Sequence, residues 1–194
     1  MNEYNQELET LYNGSKLDAK TFADFKERLT FHSEGEGVDW HYTSDALFVV
    51  QSKVLIKGLM PDYTDKKCIH DNENCENYYS MDSFVDMLGS DGEYLEHYGL
   101  NDFETPFLEM SESEQWDCLD TVDNLTISGW AEDWKYVNAH FTKEAAQRFI
   151  DRKKHDYRSG MRIYVHSQYY AWEFNAIKNA IMNGDLVFKE KAND

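Results

Sequence analysis

Proline and cysteine are scarce, with 2 and 3 residues in 194. An odd number of cysteines, irregularly spaced at 68, 75 and 118, excludes the disulfide framework of small secreted domains. No long apolar run exists either. The longest, Ala46 to Val50, is far too short to cross a bilayer. Residues 1–12 are polar and acidic, without the basic start and apolar core of a secretory leader. The expectation is a reduced, cytoplasmic protein with no membrane partner. Also absent are a Gly-rich phosphate loop, G-x-S-x-G, H-E-x-x-H and a dinucleotide fingerprint. No enzyme and no cofactor are expected.

Positive charge is missing from one long stretch. Between Cys68 and Asp133 there is no Lys or Arg, while eighteen acids fall there. That segment alone carries the −18 of the whole chain, because residues 1–67 (−4) and 134–194 (+4) cancel. Such acidity repels anionic membranes and bare nucleic acid, so no direct nucleic-acid contact is expected. Aromatic residues are plentiful, 13 Tyr, 11 Phe and 5 Trp. Each buries roughly 150–250 Å², so a core can form despite the charge, and wholesale disorder is excluded.

The pattern predicts a single α+β domain over 1–194, with a helical part at 1–67, the acidic segment at 68–133 and a β-α-β-α part at 134–194. Helices are expected over Glu3–Tyr12, Asp18–Leu29 and Asp45–Lys57, the last with Leu47, Phe48, Gln51, Val54 and Leu55 on one face and its length favouring helix over a competing buried strand at Leu47–Val50. Pro61 to Asn77 reads as irregular. Ser80 caps a helix that Gly89 stops, and Ser90-Asp91-Gly92 signals a turn. Ser111 and Glu114 have capping-box spacing before a helix to about Asp123. Leu125–Ile127, the alternating Trp134–Phe141 and Arg162–His166 read as strands. Thr142 opens a helix to Lys153, and a last helix over Tyr170–Asn183 is expected to bury Trp172, Ala176, Ile177, Ala180 and Ile181. The sum is a small antiparallel or mixed sheet in the C-terminal half, covered by helices, with the N-terminal helices alongside.

Phe141-Thr142, Ala145-Ala146, Phe149-Ile150, His155, Arg162 to Val165, Ser167, Tyr169, Glu173 and Ile177 form a recurring pattern. With Tyr42 to Gln51 upstream, and Gly129-Trp130 followed by Trp134 and Val137, it resembles phage- and prophage-encoded accessory proteins. The chain departs from that pattern at Asp156-Tyr157 and Tyr170-Ala171. The resemblance implies a phage accessory product acting in the host cytoplasm, a class that includes inhibitors of CRISPR and restriction systems. It implies no catalytic activity.

The acidic segment admits two readings. Charge runs usually form a solvated, solubilising face of an ordinary interaction or assembly factor. Alternatively, carboxylates spaced along helices stand in for a phosphate backbone and fill the basic groove of a host nucleic-acid-binding protein, a CRISPR effector or restriction enzyme. The complete absence of cations favours the second, because ordinary surfaces mix both signs. The candidate contacts are Asp117, Asp120 and Asp123, spaced by three on the predicted helix, with Asp82, Asp86, Glu93 and Glu96 in support. Tyr94 and Trp116 are the candidate apolar anchors. The basic cluster from Lys143 to Arg162 is most simply a solvent face or an intramolecular partner for the acidic stretch; a grip on RNA, or a head-to-tail homodimer pairing it with the acidic stretch, is the alternative. Cys68, His70 and Cys75 lie close in sequence but lack standard zinc spacing, so no metal is assigned and a metalloprotein or enzyme using them is the remaining alternative.

Overall fold

The computed structural model describes residues 9–41, 43–89 and 93–190. The α+β class holds: among these residues are six α-helices and a five-stranded sheet. Its strand order is β3-β2-β4-β1-β5, with β1 at Ala46–Leu59, β2 at Lys67–Asp71, β3 at Glu76–Tyr78, β4 at Leu125–His140 and β5 at Met161–Ser167. Three of these strands precede residue 80, so the sheet draws on far more of the chain than its C-terminal half. The chain divides into two compact units, one of residues 1–53 and 134–194, the other of residues 54–133. Strands β1 and β4 contribute residues to both.

In the first unit, β1 replaces the helix expected over Asp45–Lys57. Its apolar residues fit a helical stripe, but Val49, Val50, Val54 and Ile56 are β-branched and favour a strand. Asp45 adopts a left-handed conformation (φ 52°) that turns the chain directly into β1. Ala46, Phe48, Val50 and Ser52 then alternate as buried positions. β1 pairs antiparallel with β5, from Ala46 opposite Ser167 to Ser52 opposite Met161. Phe48 and Val50 pack with Val137, Met161, Ile163 and Val165 against Ala146, Phe149 and Ile150 of helix α5. That helix spans Lys143–Lys153, and Thr142 caps it as expected. Helix α1, Ala19–Ser33, opens on a capping box formed by Asp18 and Thr21 and runs one turn past Leu29. Most of the helix expected over Glu3–Tyr12 lies outside the described residues, and Leu11–Asn13 is a single 3-10 turn.

Helix α6, Trp172–Asn183, ends at left-handed Gly184 as expected, but its rotation differs. Trp172 and Ile177 are 77% and 55% exposed, and Ala176 is exposed too. Lys178 turns inward instead, 3% exposed, with its Nζ 2.7 Å from Asp45 Oδ1. Phe174 stacks on Phe141 at 5.2 Å between ring centroids. A buried ammonium requires a partner. The ion pair and the ring stack therefore decide which side of α6 faces in, overriding the apolar stripe.

The second unit has its own core. Ile69, Phe84, Leu88, Leu100, Phe107 and Leu119 are all at most 2% exposed. They are brought together by β2, β4 and three helices: α2 at Met81–Leu88, α3 at Glu93–His97 and α4 at Glu112–Leu119. Strand β2 falls in the stretch expected to be irregular; Cys68 and Ile69 anchor it, and Ile69 lies opposite Tyr78 of β3 and Ile127 of β4. Leu125–Ile127 and Trp134–His140 are parts of one continuous β4, not separate strands. Ser80 caps α2 and Gly89 follows it, as expected. The turn signal at Ser90-Asp91-Gly92 lies outside the described residues.

Candidate partner-binding surface

The second unit, residues 54–133, holds 20 of the 37 acids and only 3 bases, whereas the first has 17 acids and 16 bases. The net charge of −18 therefore sits almost entirely on one unit with its own apolar core. Amphipathic helices explain how both coexist. On α2, Met81, Phe84 and Leu88 turn inward at helical spacing, which puts Asp82 and Asp86 outside, one turn apart and exposed. Tyr94 (49% exposed) and Glu96 are exposed on α3; the side chain of Glu93 lies outside the described residues.

Helix α4 is shorter than expected. It ends at Leu119, with Asp120 as its C-cap, where Thr121 turns back to bond the Cys118 carbonyl through both its N–H and its hydroxyl. Asp117, Asp120 and Asp123 are all exposed but do not form an edge of one helix, since Asp123 lies beyond its end. Asp117 instead borders a shallow depression of about 440 Å³ with Glu104 and Glu114. The Ser111 hydroxyl and backbone N–H both donate to Glu114 Oε2, at 2.6 and 2.8 Å, and hold its carboxyl below the ordinary range. Trp116 is no apolar anchor for a partner. It is 9% exposed, belongs to the core and donates its indole N–H to Glu112.

The unit's three cations are all placed over aromatic rings. Lys57 lies 5.1 Å from the Tyr79 ring centre, Lys66 4.5 Å from that of Trp130 and Lys67 5.3 Å from that of Trp116. Tyr79 and Trp130 also meet edge to face, at 5.5 Å. This gathers the positive charge around one aromatic cluster. In the first unit, Lys143 lies over Trp40, Arg152 bonds the Tyr12 carbonyl, Lys153 pairs with Asp156 and Arg162 lies over Trp134. These four basic residues thus find partners within their own unit.

One acid of the eighteen is not a surface charge. Asp71 is fully buried at the end of β2. Its Oδ1 accepts from the backbone N–H groups of Glu73 and Asn74, and its Oδ2 from the Asn74 amide and the Tyr98 hydroxyl at 2.7 Å. Burial alone would raise the carboxyl's pKa, but these four donors overcome it and hold the value at about 2. In return, burial and the bond to Asp71 push the Tyr98 phenol up. Sequence reasoning missed this residue because its composition is that of its neighbours. The Asn-rich turn after a short β-run was the available signal.

Cys68 and His70 both approach the Asn77 side chain, at 3.9 and 3.2 Å, while Cys75 sits exposed in the hairpin turn with φ 57°. Among the described residues, no group of three or more His, Cys, Asp or Glu could hold a metal ion. Nor is any described helix long and apolar enough to cross a membrane. No family model matches the chain, and the curated proteins and the solved structures give no match either.

Proposed function

We propose that this protein acts by binding another protein, and that its 54–133 unit occupies a basic groove that otherwise holds nucleic acid. One observation carries the reading: 20 acids and 3 bases are confined to a single unit with its own apolar core. Exposed carboxylates on α2, α3 and α4 and in the turn after α4 give that unit a spaced array of negative charge. Duplex DNA carries one charge per about 1.7 Å of axis, and its binders devote many Lys and Arg to that field. A folded acidic unit competes for those same cations. The target class implied by the sequence resemblance is a host defence complex, a CRISPR effector or restriction enzyme, with the protein as a phage-type inhibitor.

The test is affinity capture from bacterial lysate with and without excess duplex DNA. It is repeated with a variant carrying Asp82→Lys, Asp86→Lys, Asp117→Lys and Asp120→Lys. These four side chains are exposed, so the variant should keep its circular dichroism spectrum. The reading expects nucleic-acid-binding proteins to be retained by the wild type, displaced by duplex DNA and lost in the variant. Retention that ignores both DNA and charge reversal would assign the acidic surface to solubility alone.

A further inference from the structure

Helix α6 leaves its apolar side in solvent. Trp172, Ala176 and Ala180 repeat every four residues and form one stripe, with Ile177 along its edge. Ala176 is exposed and Ala180 half-buried. Tyr169 and Tyr170, before the helix, are 61% and 82% exposed; Leu186 and Val187, after it, are 46% and 72% exposed. Leu186 is tied to the last turn by its backbone N–H, which donates to the Ala180 carbonyl. Among the described residues Trp172 makes no ring contact and no side-chain hydrogen bond. The six large side chains together expose on the order of 800 Å², close to what each partner contributes to a stable dimer. Charge is nearly absent here. Between Tyr169 and Phe188 the charged residues are Glu173, Lys178 and Asp185, and Lys178 is buried against Asp45. Glu173 stands exposed at the edge of the stripe and Asp185 beyond Gly184, where Lys26 of α1 reaches the helix end. A face rich in aromatics and poor in charge has the composition of an interface core.

We infer that this stripe is the contact of a two-fold homodimer, with α6 packed antiparallel against α6 of a second copy about an axis at Ala176. The stripe is self-complementary in that arrangement. Trp172 and Ala180 stand four residues to either side of Ala176, so each indole falls on the small Ala180 of the other copy. Alanine at the centre lets the two helix axes approach to about 8 Å. The two copies of Glu173 fall about 9 Å apart along the helix axis, beyond a Debye length of about 8 Å. Charge also decides which unit can meet its own copy. With 20 acids against 3 bases the second unit repels itself, whereas 17 acids against 16 bases leave the first nearly neutral. The inference rests on a different unit from the acidic array, so either can fail without the other.

The test is sedimentation velocity of the full-length protein from about 1 to about 100 μM, the range in which a micromolar association is read. The mass should rise from the 22.9 kDa of one chain toward twice that value. The dimer should persist from about 0.15 to about 0.5 M salt, because its contact is apolar. Trp172→Ala should weaken association at least about tenfold. Ala176→Glu sets two like charges across the axis and should weaken it at least about a hundredfold. Both positions are exposed, so neither substitution should change the circular dichroism spectrum. In a Cys75→Ser background, which removes the exposed native thiol, Ala176→Cys should give a disulfide-linked dimer on mild oxidation. A two-fold axis at that residue brings the two thiols within bonding distance, and a head-to-tail contact does not. A single species of one-chain mass at every concentration would overturn the inference. So would a dimer that ignores both substitutions, one that dissociates at the higher salt, or one that Ala176→Cys fails to cross-link.

Discussion

Replacing Asp71 by Asn tests whether a buried acid holds the charged unit together. The wild-type carboxylate accepts four hydrogen bonds with no solvent contact, and its pKa falls from 3.8 to about 2. A depression of that size corresponds to about 2.5 kcal/mol of folding stability at neutral pH. An amide of the same shape keeps one acceptor oxygen but turns a donor toward the Asn74 amide and the Tyr98 hydroxyl. Asp71→Asn should therefore lose at least about 2.5 kcal/mol at pH 7, read as a lower urea midpoint. The loss has a defined pH signature. The contribution is fully present above the unfolded-state pKa near 4 and disappears as pH falls through the folded value of about 2. The gap between wild type and variant should thus shrink by roughly half of this contribution near pH 3, with little of it left by pH 2. Comparing the two proteins cancels the titration of all other carboxylates. A gap that stays constant from pH 7 to pH 2 would refute the reasoning, because it would mean that shape, not charge, matters at this site.

Two further substitutions probe the fold. Lys178→Met should destabilise the first unit by about 2 kcal/mol, since it leaves the Asp45 carboxylate unpaired. The Asp45→Asn/Lys178→Met double variant should recover part of that loss in a double-mutant cycle of thermal midpoints, and strict additivity would show the pair to be uncoupled. Gly129→Ala would set a Cβ 2.4 Å from Thr64 Cγ2 and 3.1 Å from the Met60 carbonyl oxygen, costing about 1–3 kcal/mol. Thr64→Ser should rescue part of this, because it removes that methyl and keeps the hydroxyl bond to the Trp130 carbonyl. No rescue would place the strain at Met60.

What could be read from the residues was mainly what is decided locally. Ser80, Ser111, Thr142 and Asp18 cap helices with side-chain oxygens, and Gly184 stops one in the left-handed region. Each signal needs only a few neighbouring residues. Features set by tertiary contact were not legible. Residues 46–59 have an apolar pattern that suits a helix or a two-sided strand, and pairing with β5 decides between them. The orientation of α6 depends on an ion pair spanning 133 positions of sequence. Among the candidate contacts, Asp82, Asp86, Tyr94, Glu96, Asp117, Asp120 and Asp123 are exposed, as a binding surface requires. Trp116 is lost to the core because its side of α4 is also that of Leu119. Asp71, the one buried acid among the described residues of the acidic stretch, could not be told from its acidic neighbours by composition.

The most direct measurement of the central claim is the affinity of the captured target for this protein as a function of salt. If the 54–133 unit replaces a phosphate backbone, the logarithm of the association constant should fall linearly with the logarithm of salt concentration. A slope of about −3 or steeper is expected for a ligand standing in for several phosphates. The variant with four reversed charges should bind too weakly to give a slope at all. A nearly flat line for the wild type would contradict the account, since the interface would then be held by apolar contact and its carboxylates would be bystanders.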